Sequence, residues 1–198
     1  RYATITPTIF SKNNFIVQTE YRERNNNAKN DIDFSLNRKK NIAKFIQSSQ
    51  TNTHFFSKSK FEYDSENFDN SIIDINIQRS SNDTYLKAFD LSSNSPLIDD
   101  TTTLKSNINF GFYRENFFLE TNFQAYEDLT KSSHDRYEFI YPEISLTKNL
   151  DSELEGSLVL DSNGYQKKYN TNISETVLVN NIIYNSNSHL LDNRLQNK

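Results

Sequence analysis

The chain has 198 residues, enough for one domain, with 34% hydrophobic residues, 24% charged residues and a mean hydropathy of -0.80. No apolar run approaches the roughly eighteen residues of a membrane-crossing helix, which excludes helical insertion. The net charge of -4 comes from interleaved acids and bases, leaving no basic stripe for nucleic acid, and the lack of cysteine removes disulfides and thiolate chemistry. Fifteen Phe and eleven Tyr are too many aromatics for a disordered chain. Low mean hydropathy is compatible with a β-barrel, in which half of each strand faces water.

Residues 1–10 alternate Ala3, Ile5, Pro7 and Ile9 against Thr4, Thr6 and Thr8, the period of a half-buried strand. A turn cluster at 11–14 leads to a return strand over 15–24, where Phe15, Val17, Thr19 and Tyr21 oppose Gln18, Glu20 and Arg22. After a polar loop at 25–30, Ile32, Phe34 and Leu36 alternate with Asp33 and Ser35. Residues 38–53 are ambiguous, since Ile42, Phe45 and Ile46 have the spacing of a short amphipathic helix. Strands are expected over 55–63 and 71–79, then a long irregular polar segment over 80–103 carrying Pro96. The clearest signal follows. Leu104, Ser106, Ile108, Phe110 and Phe112 share one side of an arm; after a turn at 114–116, Phe117, Leu119, Thr121, Phe123 and Ala125 do the same. Each arm runs about ten residues, the length of a tilted membrane-crossing strand, against five or six in a typical soluble sheet. Further strands are expected over 137–148, 153–162 and 175–184, with a loop from 185 leading towards another strand.

These elements make an all-β, antiparallel up-and-down meander of about ten strands, a fragment of a large transmembrane β-barrel spanning residues 1–198 as one partial domain. The chain opens at Arg1 inside a strand pattern and contains no methionine, so it is expected to be an excerpt of a longer protein. The lipid-facing set is expected to include Ile73, Ile75, Ile77, Ile108, Phe110, Leu119 and Phe123.

Several stretches go further. Ala3-Thr4-Ile5-Thr6-Pro7 leading to Glu20-Tyr21-Arg22 resembles the opening hairpin of the barrel in the lipopolysaccharide-assembly family LptD (OstA, Imp). The segment from Ser81 through Asp83, Tyr85 and Phe89 to Asp90 is similar to that family's Ser-Asp-x-x-Tyr-x-x-Asp-Phe station, with the final pair reversed and Asn82 inserted. Gln124-Ala125-Tyr126, then Tyr137 running into Tyr141-Pro142, resembles two later stations. The resemblance implies the N-terminal part of a large barrel without its preceding periplasmic jellyroll and its closing strands. It also implies a non-enzymatic function in the outer membrane of a Gram-negative bacterium. In that family, lipopolysaccharide arrives over a periplasmic protein bridge through the N-terminal domain. It enters the outer leaflet through a lateral gate, while an LptE-type lipoprotein plugs the lumen. Pro7 matches a gate proline, which weakens the seam because proline cannot donate a ladder hydrogen bond; an ordinary edge or strand-start position tolerates it equally well.

Other chemistry is weak. His54, His134 and His189 are scattered in or beside polar loops, and surface or lumen roles are expected without metal. Asp161-Ser162-Asn163-Gly164 reads as a tight turn with Gly164 at positive φ, not as a calcium loop. Asp99-Asp100 and Glu127-Asp128 are expected as solvated loop charges, with cation bridging to lipopolysaccharide phosphates as the functional counterpart. No Ser-His-Asp constellation stands out, and neither a cofactor nor catalysis is expected. The alternatives are another outer-membrane barrel (a porin or receptor) and a soluble β-sandwich or adhesin-like binding module. An isolated open sheet is expected to be unstable in lipid, because its edge groups would lack partners.

Overall fold

Period-two patterning becomes strand along nearly the whole chain. The computed structural model describes residues 1–11, 14–43, 46–132, 135–153, 155–169 and 173–186. Ten strands follow in order: β1 Tyr2–Ser11, β2 Asn14–Arg24, β3 Ala28–Ala43, β4 Ile46–Ser65, β5 Phe68–Ser80, β6 Thr103–Arg114, β7 Phe117–Asp128, β8 Tyr137–Leu150, β9 Gly156–Tyr169 and β10 Ser174–Ser186. A single helical turn, α1 (Tyr85–Ala88), and a 3-10 turn at Leu91–Asn94 interrupt the meander between β5 and β6. Each strand pairs antiparallel with its sequence neighbours in one ten-stranded sheet, which does not close: β1 and β10 remain its two edges. Strands of 10–20 residues rise about 3.4 Å per residue, so even the shortest spans a hydrocarbon layer of roughly 30 Å.

The connections fall at two ends of the sheet. At one lie the short turns 25–27, 66–67, 115–116 and 151–155; at the other, β1–β2, β3–β4 and β9–β10 are joined as tightly, and the two long segments 81–102 and 129–136 stand among them.

Two local expectations change. Residues 38–53 form no helix but the tip of the β3–β4 hairpin, with Arg38↔Thr51, Ile42↔Gln47 and Ala43↔Ile46 in register; the strand ladder overrides the helical spacing of two isoleucines. Phe45 lies outside the described residues. The stretch 161–164 is no turn: it is the middle of β9, where Gly164 pairs with Leu178 and Ile144. A Cβ on Gly164 would press on the Val177 carbonyl, so the glycine serves close strand approach. Positive φ belongs instead to Gly156, at the start of β9. In β8 the register slips between Ile140 and Glu143, around Tyr141-Pro142, whose peptide bond is cis. Proline lacks the ladder donor, and the slip leaves it outside the pairing.

The small apolar core sits under the β5–β6 segment. Tyr85, Leu86, Leu91 and Ile98 of that segment bury against Ile16 of β2 and Phe56 of β4, with Leu104 and Leu129 beside them and Phe89 and Leu97 packed at the margin. Backbone bonds fix its ends, Ser81 N–H to the Thr53 carbonyl at 2.9 Å and Leu129 N–H to the Thr102 carbonyl at 2.8 Å.

Candidate functional site

Register places side chains on two unlike faces. Ile75, Ile108 and Phe123 are cross-strand neighbours, as are Ile73, Phe110 and Thr121, and Phe112, Leu119 and Leu146. All seven residues expected to face lipid therefore share one face. That face continues through Ile5, Phe15, Phe34 and Phe55 on one flank and Ile144, Leu178 and Ile182 on the other, all exposed. Pro7 belongs to it too, opposite Val17 on edge strand β1, where a missing donor is tolerated.

The opposite face is polar: Arg22, Asp31, Lys58, Asn76, Asn107 and Gln124 form one continuous cross-strand row. The β5–β6 segment folds back over this face, enclosing a cavity of about 520 Å³ that has Lys58, Lys60, Asp74 and Lys105 on the sheet side and Pro96, Leu97 and Asp99 on the segment side.

Beneath α1 the polar face holds a sealed network. The Tyr85 hydroxyl meets Ser35 Oγ at 2.8 Å, and Ser35 Oγ meets His54 Nδ1 at 2.5 Å. His54 Nε2 lies 3.4 Å from Asp33 Oδ1, within ion-pair reach but not aligned as a hydrogen bond. Gln18 Nε2 donates to both Asp33 oxygens at 3.1 and 3.3 Å. A consistent donor order runs from Tyr85 to Ser35 to His54 Nδ1. Ser35 and Asp33 are 0% exposed, and His54 and Tyr85 1%. Burial pushes the Tyr85 phenol pKa up, against the opposing effect of the Ser35 bond.

His54 thus corrects the expectation of a surface or lumen histidine beside a polar loop: it is a buried residue of β4, and a Ser-His-Asp set exists after all. As chemistry it is closed: a nucleophile needs an approach path, whereas Ser35 is sealed beneath Tyr85 with its hydroxyl engaged on two sides. Its visible role is to tie α1 to β3 and β4. The sequence carried half the signal. Asp33 and Ser35 share a face by period two, but His54 joins them only through the Ser35↔His54 pairing.

The other motif residues gather at the long-loop end. The carboxylate of Asp83 takes Arg136 Nη2 at 2.6 Å, and Arg136 also binds Glu127 Oε1, which accepts the Tyr137 hydroxyl at 3.0 Å. The Arg136 bond holds the Asp83 carboxyl below the usual range, and Arg136 is raised in turn, by Asp83 first and Glu127 second. Phe89 packs edge-on against Tyr85 and Phe10, with ring centroids 5.3 and 5.1 Å apart. Pro142 marks the β8 register slip.

Glu127 and Asp128 prove to be strand residues rather than loop charges; Glu127 is buried against Arg136, and Asp128 bonds the Thr130 amide and hydroxyl. Asp100 does likewise for Thr102. Among the described residues no three His, Cys, Asp or Glu side chains converge to hold a metal, while His134, His189 and the tail 187–198 lie outside the described residues. No family model and no curated protein matches the chain.

Proposed function

We propose that this chain is wall from an LptD-type outer-membrane β-barrel, inserting lipopolysaccharide into the outer leaflet through a strand seam. The observation that carries the membrane part is the bare apolar face. Large side chains from β1 to β10, including Ile5, Phe34, Ile108, Phe123, Ile144 and Ile182, stand exposed on one side of the sheet. Water disfavours so large a contiguous apolar surface, and hydrocarbon accepts it. Strand lengths, the up-and-down order and the polar opposite face fit the same reading. The LptD part rests on the ordered motif stations in the sequence. On this reading the lumen passes the saccharide and phosphate portions, an LptE-type lipoprotein occupies the barrel, and a periplasmic bridge delivers the substrate. On this reading the mechanism involves no covalent step.

The cysteine-free chain suits a single-cysteine scan. In the intact barrel, fluorophores at Ile108 and Phe110 should be quenched from the lipid phase in vesicles, and those at Asn107 and Asn109 from water. Aqueous quenching at all four sites would refute membrane embedding and favour a soluble β-module. In the intact protein, a photo-crosslinker at Lys58 or Asn107 should capture lipopolysaccharide; capture of small solutes alone would favour a porin or receptor barrel.

A further inference from the structure

The apolar face is not smooth. Ser106, Ala125 and Phe139 form one cross-strand row, and the first two are small. Around them stand Ile77 on β5, Ile108 and Phe123 one step along, and Phe139 and Tyr141 on β8, enclosing an open groove of about 350 Å³ lined almost wholly by carbon. A second hollow, about 100 Å³, shares Ser106, Ala125 and Phe139 with the first and continues to Leu104, Glu127, Tyr137 and Arg79. Together they make one slot along the strands. It runs from the Ile108–Phe123 pair to the Leu104–Glu127 pair, four residues or about 13 Å.

The two ends of the slot differ in chemistry. The Ile108–Phe123 end is hydrocarbon. At the other end Glu127 is already engaged by Arg136 at 2.7 Å and by the Tyr137 hydroxyl at 3.0 Å. Arg79 reaches Glu127 only at 3.5 Å, and its side chain is 69% exposed. A guanidinium carries five donors in a fork that fits phosphate oxygens two at a time, so most of Arg79's capacity is unused.

We propose that this slot binds one membrane lipid with a phosphate headgroup, an acyl chain lying over Ser106 and Ala125 and the phosphate on Arg79. The proposal rests on the membrane reading above and adds to it a discrete site on the outer wall, away from any seam at the sheet edges. A cation at the mouth of an apolar slot matches an amphiphile better than a free anion, which would leave the hydrocarbon end empty, or a neutral oil, which would leave Arg79 unused.

The test is native mass spectrometry of the intact barrel protein carrying this chain, in maltoside micelles doped with dioleoylphosphatidylglycerol or with dioleoylglycerol. The parent should retain one phosphatidylglycerol per chain and little diacylglycerol. Ala125→Phe, which fills the floor from an already exposed face, should reduce retention about tenfold. Arg79→Gln should reduce it by a factor on the order of five to ten, the loss of a charge-assisted bond. Thr121→Phe, on the same face but outside the groove, should retain lipid as the parent does. Equal retention by parent and Ala125→Phe, or equal retention of the two lipids, would overturn the proposal. Failure of the membrane reading looks different: the parent would remain outside the micelles, and cysteine labels at Ile108 and Phe110 would be quenched from water.

Discussion

The buried hydroxyl chain makes an ordered prediction about the β5–β6 segment. Tyr85→Phe deletes the bond to Ser35 but leaves Ser35 donating to His54, so the loss is one neutral hydrogen bond, about 1 kcal/mol. Ser35→Ala is worse, although it removes fewer atoms from the segment itself. It strands both the Tyr85 hydroxyl and His54 Nδ1 in a sealed site, and each orphan costs about 1–3 kcal/mol, so about 2–3 kcal/mol is expected once partial relaxation is allowed. The segment opens locally, so amide hydrogen exchange reads the effect where it occurs. The reporters are the amides of Ala88, bonded to Thr84, and Asp90, bonded to Lys87. Their exchange should accelerate roughly 5-fold in Tyr85→Phe and roughly 30- to 150-fold in Ser35→Ala, while the β6–β7 ladder keeps the parent rates. The reasoning fails if Ser35→Ala is milder than Tyr85→Phe, or if the ladder accelerates along with the segment. A double mutant costing less than the sum of the singles would confirm that one bond is shared.

Three further outcomes follow from the geometry. In the intact barrel, Ile108→Lys should cost about 2–4 kcal/mol of folding stability and Asn107→Lys well under 1 kcal/mol, measured by urea titration in vesicles, since these neighbours point to opposite faces. Gly156→Ala should destabilise the β9–β10 pairing by about 1–3 kcal/mol: φ is +142°, and an added Cβ would collide with the Asn185 carbonyl, so the loss should appear as faster exchange of β10 amides. The Asp83–Arg136 pair should persist through mild acid. Because the folded carboxyl titrates below its unfolded value near 3.9, its contribution is present above that value and is lost as pH falls through the lowered one. Tyr137 ring resonances should therefore hold from pH 7 to about 4.5; a shift centred above pH 5 would refute the pairing.

Sequence patterning reveals the strands because a face that meets hydrocarbon or core must repeat every second residue, as Ile73-Ile75-Ile77 and Ile108-Phe110-Phe112 do. It falters where polar residues occupy both alternate sets: 38–53 lacks a strong alternation, and chance spacing of Ile42 and Ile46 imitates a helix. The folded-back segment was invisible for another reason. Tyr85, Leu86, Leu91 and Ile98 are scattered among polar residues, and their burial depends on a cover between segment and sheet that no local period encodes. The network with Ser35 and His54 needs the β3–β4 register as well, which the pattern could not place.

That same tip has a consequence for solubility during assembly. β2 pairs with β3 only as far as Lys39, and β5 pairs with β4 only as far as His54. Beyond those points β3 and β4 continue as a ribbon of two strands with no strand paired to either outer edge among the described residues. Vacant edges in water invite a strand from another molecule, the first step of fibril growth. The ribbon starts with Arg38-Lys39-Lys40 on one strand and is followed by serine, glutamine and asparagine on the other. Charge repulsion between two such tips, approached edge to edge, makes each copy of this chain a poor template for the next.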